Sequence, residues 1–241
     1  MSRKRETLHI TLLFLAVFIA FMPMQAKTYL VCVGIADYPG KTNDLRISDN
    51  DAKSIAKVFA AADDAAAKIL LNSKATKSVV LSALETTFAN AKPTDTAILF
   101  FSGHGTPGAL VCYDGLLGYQ DIFNKFKMCA AQKKIIIADA CFSGKMRITK
   151  QQVSTYKSQS VMLFLSSRTN EVSKESLYQN SLFTIYVERG LRGGADTNRD
   201  RTITALELYN FVHNGVTEAS KNRQHPVMWG KFDNNMTIIK W

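Results

Sequence analysis

Apolar positions along the chain fall into two alternating rhythms. Thr28 to Ile35, Ala97 to Phe101, Ile135 to Ala138 and Val161 to Ser166 are nearly unbroken apolar runs of strand length. Runs of this kind are expected for strands covered on both faces. Lys68 to Asn72 reads as a further short strand, and Ala109 to Tyr113 as one arm of a hairpin. Between the strands the period lengthens. Leu45, Ile47, Ile55, Val58 and Phe59 give an amphipathic helix entered through Asp44–Asp51 and running to Ala61. Thr76 caps a helix through Ala89 with Val79, Val80, Leu84 and Phe88 on its buried side, while Tyr119–Lys127 and Leu182–Arg192 read as two more helices. Strands alternating with helices at this spacing predict parallel βαβ units, hence an α/β sandwich with a mostly parallel central sheet of about six strands flanked by helices.

The two central strands end in chemistry. One delivers Ser102-Gly103-His104-Gly105, and the other delivers Asp139-Ala140-Cys141-Phe142-Ser143-Gly144. Ligands of open α/β sheets bind beyond the carboxyl ends of the strands, so a thiol and an imidazole are expected to meet there. Together they are the minimal nucleophile and base for acyl transfer. Asp139 lies two residues before Cys141 and therefore on the same side of its strand, where a buried acid beside a cleft calls for a cation. The polar, basic stretch Lys145 to Gln159 predicts a loop just downstream of the thiol.

The first 26 residues read as an export signal to be removed, leaving one domain over 27–241. Arg3, Lys4 and Arg5 precede an apolar core from Ile10 to Phe21, and Pro23-Met24-Gln25-Ala26 ends in a small residue at the expected cut. That core is short for a membrane span, so no stable insertion is expected after cleavage. The formal charge is +10; removing three bases and one acid with the leader leaves 27 bases against 19 acids. The lysines are scattered, with no basic run interleaved with aromatics, which argues against nucleic-acid binding. Four cysteines in an exported chain raise the question of disulfides. Cys32 lies within a strand pattern, and the spacing of Cys112 and Cys129 requires no bond, so all three read as packed thiols.

A second motif runs from Asp196 to Glu207. Asp196, Asn198, Asp200, Thr202, Thr204 and Glu207 fall at the oxygen-ligand positions of a helix-loop-helix calcium loop. Arg201 stands where glycine is wanted for the sharp turn. The competing reading has Asp196 and Asn198 making turn hydrogen bonds while Thr204 and Glu207 form a capping box. Calcium is thus a candidate ligand, and no cofactor is required by the remaining residues.

These motifs resemble the caspase-like clan of cysteine peptidases, in particular its bacterial metacaspase-like members. The resemblance is carried by Ser102-Gly103-His104-Gly105, by Asp139 to Gly144, and by Leu45 to Ala52 with Asn50-Asp51-Ala52, in that clan's order. It extends from Thr28 to about Ile239 and includes Ser166-Ser167-Arg168. Two departures are visible: Phe142 stands where histidine is common, and the 37-position spacing from His104 to Cys141 is shorter than the roughly 50 of caspases. The resemblance implies a thiol endopeptidase acting through Cys141 and His104, with backbone N–H groups of Gly105 and Cys141 forming the oxyanion hole. It also implies that Asp51, Asp139 and Ser48 line a pocket for Arg or Lys before the scissile bond, so that basic peptides are the expected partners. On the residues alone Asp51 also reads as an ordinary first-turn acid of its helix. A catalytically inactive binding module and a calcium-binding surface scaffold are the alternatives from other functional classes.

Overall fold

The computed structural model describes residues 26–62, 65–141, 151, 154, 160–166 and 179–241, and of Cys141 the backbone alone. The leader up to residue 25, Phe142-Ser143-Gly144, most of the 145–159 loop and Ser167-Arg168 lie outside the described residues.

Ten strands and five helices are described. In chain order they are β1 (Thr28–Gly34), α1 (Ser48–Ala62), β2 (Ala65–Leu71), α2 (Lys77–Phe88), β3 (Thr96–Thr106), β4 (Ala109–Cys112), β5 (Gly115–Gly118), α3 (Tyr119–Met128), β6 (Lys133–Cys141), β7 (Met162–Leu165), α4 (Leu182–Arg189), β8 (Thr202–Thr204), α5 (Ala205–Ala219), β9 (Val227–Trp229) and β10 (Thr237–Lys240). The main sheet runs β2-β1-β3-β6-β7-β9; β4 and β5 extend β3 as a hairpin, and β8 pairs with β10 apart from it. All neighbours in the main order are parallel except β7 and β9. The α/β sandwich with about six central strands is therefore the observed architecture.

Each central strand feeds two cores because successive side chains point to opposite faces. Val31, Val33, Leu99, Phe101 and Ile136 join α2 and α3 on one face. Leu30, Cys32, Ile98, Phe100, Ile135 and Ile137 join α1, α4 and α5 on the other. From Leu30 to Gly34 in β1 and from Thr96 to Gly103 in β3 both faces are buried, which is why these runs show no alternation of polar and apolar residues. Three details differ from the sequence expectation. β2 begins at Ala65 rather than Lys68; as an edge strand it leaves Ala66 to Ile69 exposed, so its start carries no apolar run. Val79 is 41% exposed, and the buried side of α2 is made by Val80, Ala83, Leu84 and Phe88. The helix from Leu182 gives way at Gly190 to a wider turn, with Gly193 at φ 102 closing it.

The order of connection places a site. From β1 the chain first moves outward to β2 and then returns to β3 on the other side, so the crossover direction reverses between β1 and β3. The carboxyl ends of strands at such a reversal form an open crevice. Helix α1 begins directly above it. A Cβ added at Gly34 would stand 2.4 Å from the Ser48 carbonyl oxygen and 2.8 Å from the Asp49 Cα, so only glycine lets the helix start this close to the end of β1.

Candidate active site

The adjacent parallel strands β3 and β6 pair Ser102 with Asp139, Gly103 with Ala140, and His104 with Cys141. The candidate base and nucleophile thus stand opposite one another at the ends of neighbouring strands. The other cysteines are different in kind. Cys32, Cys112 and Cys129 are free and buried. Burial pushes all three thiols up, that of Cys112 to about 12, away from thiolate chemistry.

His104 is oriented by backbone. Its Nε2 lies 2.7 Å from the carbonyl oxygen of Asn43. A carbonyl can only accept, so Nε2 carries the proton there and Nδ1 keeps a lone pair for proton transfer. Asn43 is itself fixed in the turn after β1: its N–H donates to Gly40 O at 2.9 Å and its side-chain amide to Pro39 O at 2.9 Å. Tyr38, from the same turn, supports the imidazole from another side. Its ring centroid is 4.7 Å from that of His104. Its hydroxyl accepts from the His104 N–H at 2.9 Å and donates to Val111 O at 2.9 Å. Burial drives the phenol well above its ordinary range, which keeps it neutral and able to donate. The hydroxyl fits because residue 103 is glycine: an added Cβ would lie 2.6 Å from it.

Asp51 and Asp139 are 0% and 5% exposed, and the structure brings them into one polar cluster. Ser102 Oγ donates to Asp51 Oδ2 at 2.7 Å, and the Ser181 N–H donates to Asp51 Oδ1 at 2.9 Å. The Ser181 hydroxyl donates to Asp139 Oδ2, which also accepts from Thr184 Oγ1 at 3.0 Å. Ser181 is at the same time the N-cap of α4, accepting from the Thr184 N–H. Burial first, and the neighbouring Asp139 charge second, push the Asp51 carboxyl up to about 8 against the hydrogen bonds from Ser102 and Ser181. Burial likewise raises Asp139, opposed by Ser181, Thr184 and Ser166. Burial and mutual repulsion thus both oppose a state in which the two carboxylates are charged together. Ser48 is buried at the start of α1, one turn before Asp51. Gly105, at the end of β3, pairs with Leu110 of β4.

The Asp196–Glu207 loop belongs elsewhere in the fold. It leads into β8, whose partner β10 lines a cleft with Thr28, Thr96 and Lys133 at the strand starts, the end of the sheet opposite His104. Its oxygens make turn and capping bonds. Asp196 accepts from the N–H groups of Asp200 and Arg201, Asn198 from Asp200, and Asp200 from Thr202. Glu207 forms a capping box with Thr204 and accepts from Thr197. Arg199 and Arg201 take up φ of 62° and 63° without glycine. Among the described residues no group of three or more His, Cys, Asp or Glu is arranged to hold a metal ion.

Comparison with known proteins assigns the class of the fold that carries His104 and Cys141. The family model of the caspase domain matches residues 27–236, and the chain belongs to that family. Its members are cysteine peptidases. Among solved structures, caspase-1 from Spodoptera frugiperda is similar with a TM-score of 0.70 at 15% identity, covering 91% of this chain and 92% of its own. Protein GSU0716 from Geobacter sulfurreducens is similar with a TM-score of 0.67 at 17% identity, covering 90% and 97%. No curated protein matches the chain.

Sequence reasoning missed Tyr38, the Asn43 carbonyl, Ser181 and Thr184. Ser181 and Thr184 carried a usable signal, a hydroxyl residue just before a helical run with a second hydroxyl three positions on. Tyr38 and Asn43 carried none, because their roles depend on a turn folding back over β3.

Proposed function

We propose that the chain is an exported, metacaspase-like cysteine endopeptidase that cleaves after Arg or Lys. The observation that carries this reading is the pairing of His104 with Cys141 across β3 and β6, beside a buried pair of carboxylates. Export rests on the leader pattern in residues 1–26. No described helix is long and apolar enough to cross a membrane.

In this reading His104 Nδ1 takes the Cys141 thiol proton and the thiolate attacks the scissile carbonyl carbon. Charge develops on the carbonyl oxygen, where the N–H groups of Gly105 and Cys141 receive it. The tetrahedral adduct collapses, His104 returns its proton to the leaving amine, and a thioester remains on Cys141. Water, deprotonated by His104, then attacks the thioester and releases the acid and the free thiol. The basic side chain before the scissile bond enters beside Asp51 and Asp139. A guanidinium there pairs with both carboxylates through charge-assisted hydrogen bonds and removes their mutual repulsion.

Hydrolysis of matched peptides with Arg, Lys or Asp before the scissile bond tests the reading. Cleavage is expected after Arg, more weakly after Lys, and not after Asp, and it should vanish in Cys141→Ala and His104→Ala proteins that keep their circular dichroism and Tm. Undiminished hydrolysis by a homogeneous Cys141→Ala preparation rejects the peptidase mechanism. Efficient cleavage after Asp rejects the pocket assignment alone.

A further inference from the structure

We infer that cutting the chain after Ala26 creates a binding partner inside the protein itself: the new α-ammonium group of Lys27, held by the buried carboxylate of Asp95. The Lys27 backbone nitrogen lies 2.9 Å from Asp95 Oδ1. Asp95 is only 3% exposed, and its second oxygen accepts from the Lys92 N–H at 2.7 Å. The Lys27 carbonyl in turn accepts from the Thr96 N–H at 2.9 Å, so residue 27 is fastened at both its ends, to the first residue of β3 and to the residue before it. The sequence places the leader's cut at the peptide bond whose nitrogen makes this contact.

Hydrolysis of the Ala26–Lys27 bond adds one water. The C–N bond breaks, the hydroxyl stays on the Ala26 carbonyl as a carboxyl group, and the Lys27 nitrogen leaves as an amine that takes up a proton at neutral pH. One amide N–H is thereby replaced by three N–H donors and a full positive charge against the same carboxylate, a stronger hydrogen bond than the neutral one it succeeds. The location gives the contact a purpose. Lys27 immediately precedes β1, which pairs with both β2 and β3. A loose chain end at that point would fray. Asp95 precedes β3, the strand that ends at His104, so the new terminus is tied to the foundation of the site by the same cut that releases the protein.

Other charges bear on the amine. Lys92 comes from the turn before β3, Lys133 and Lys134 from β6 and Lys240 from β10; Lys133, Lys240 and Trp241 line the cleft that also takes in Ala26. The side chain of Lys27 adds one more positive charge. The lysines lower the affinity of the amine for its proton, and Asp95 must outweigh them.

This inference rests on the export reading and not on the peptidase reading. The test uses the exported chain recovered after its own cleavage, and mass and end-group analysis should find Lys27 first. Titration of its α-amine by NMR should give a pKa above the ordinary range of about 7.7–8.0 by about one unit, a tenfold gain in proton affinity, returning to that range in Asp95→Asn. A chain with one glycine inserted after Ala26 keeps the Lys27 amide but moves the ammonium away, and needs no change at Asp95. Because the folded pKa is raised, the Tm advantage of the native terminus over this insertion should be full below about pH 7 and disappear as pH rises through the raised value. A first residue other than Lys27, an ordinary α-amine pKa, or equal Tm for the two chains at neutral pH overturns the inference. None of these outcomes touches the hydrolysis assay.

Discussion

Binding of an arginine side chain should release a proton from Asp51 and Asp139. With the Asp51 carboxyl raised to about 8 by burial and by Asp139, the empty pair holds a proton at neutral pH, whereas a guanidinium favours both carboxylates ionised. Affinity for arginine should then follow the deprotonated fraction. For a pKa near 8 that fraction rises from about 1% at pH 6 to about 50% at pH 8, a gain of about 50-fold or about 2.3 kcal/mol, and levels off above. At pH 7 about 0.9 proton should be released per arginine bound. The measurement uses Cys141→Ala protein, which binds without turnover, and a peptide ending in Arg. Calorimetry in two buffers of different ionisation enthalpy yields both the affinity and the proton count. The double variant Asp51→Asn/Asp139→Asn in the same background removes both buried acids and should flatten the profile over this range. A wild-type affinity that is level with pH, or the same slope in the double variant, would show that the carboxylates are not where the guanidinium sits.

Two further outcomes concern the supports of the site. Tyr38→Phe keeps the ring against His104 but leaves the His104 N–H and the Val111 carbonyl without their bridge; a stability loss of about 1–3 kcal/mol is expected, with a slower alkylation of Cys141 by a small uncharged thiol reagent. Unchanged Tm and alkylation rate would count against a positioning role. Gly34→Ala places a methyl group against the Ser48 carbonyl and Asp49 Cα, atoms of the helix backbone that cannot swing aside, so α1 must move. A cost of about 1–3 kcal/mol in urea unfolding is expected, together with weaker arginine binding because Asp51 moves with the helix. Normal arginine affinity would mean that Asp51 does not depend on this close approach.

The central strands were legible because burial on both faces leaves an unmistakable apolar signature, as in Ile135-Ile136-Ile137. Their ends were legible because Cys141, His104 and Asp139 are chemically conspicuous where such runs stop. β9 was not: Val227-Met228-Trp229 is three residues long, half-buried, and antiparallel to β7, so only its partner identifies it. The acid pair was half legible. The register of two on β6 puts Asp139 beside Cys141, but Asp51 looks like any first-turn acid until Ser102 and Ser181 are seen to hold it. Ser181 follows Asp139 by 42 positions, a separation at which no local pattern operates. The loop from Asp196 shows the converse limit, since the same spacing of oxygens serves a calcium loop and a capped turn.

The group that orients His104 is a main-chain carbonyl, and this has a genetic consequence. Every substitution at position 43 leaves the oxygen in place, so a loss of activity there would report the lost side-chain bond to Pro39 that holds the turn, and not the loss of the atom that meets His104. The vulnerable positions are those that set the path of the chain, such as Gly40, whose φ of 87° few other residues adopt readily. Inactivating alleles in this turn would therefore gather at residues that touch no substrate and act by moving the chain.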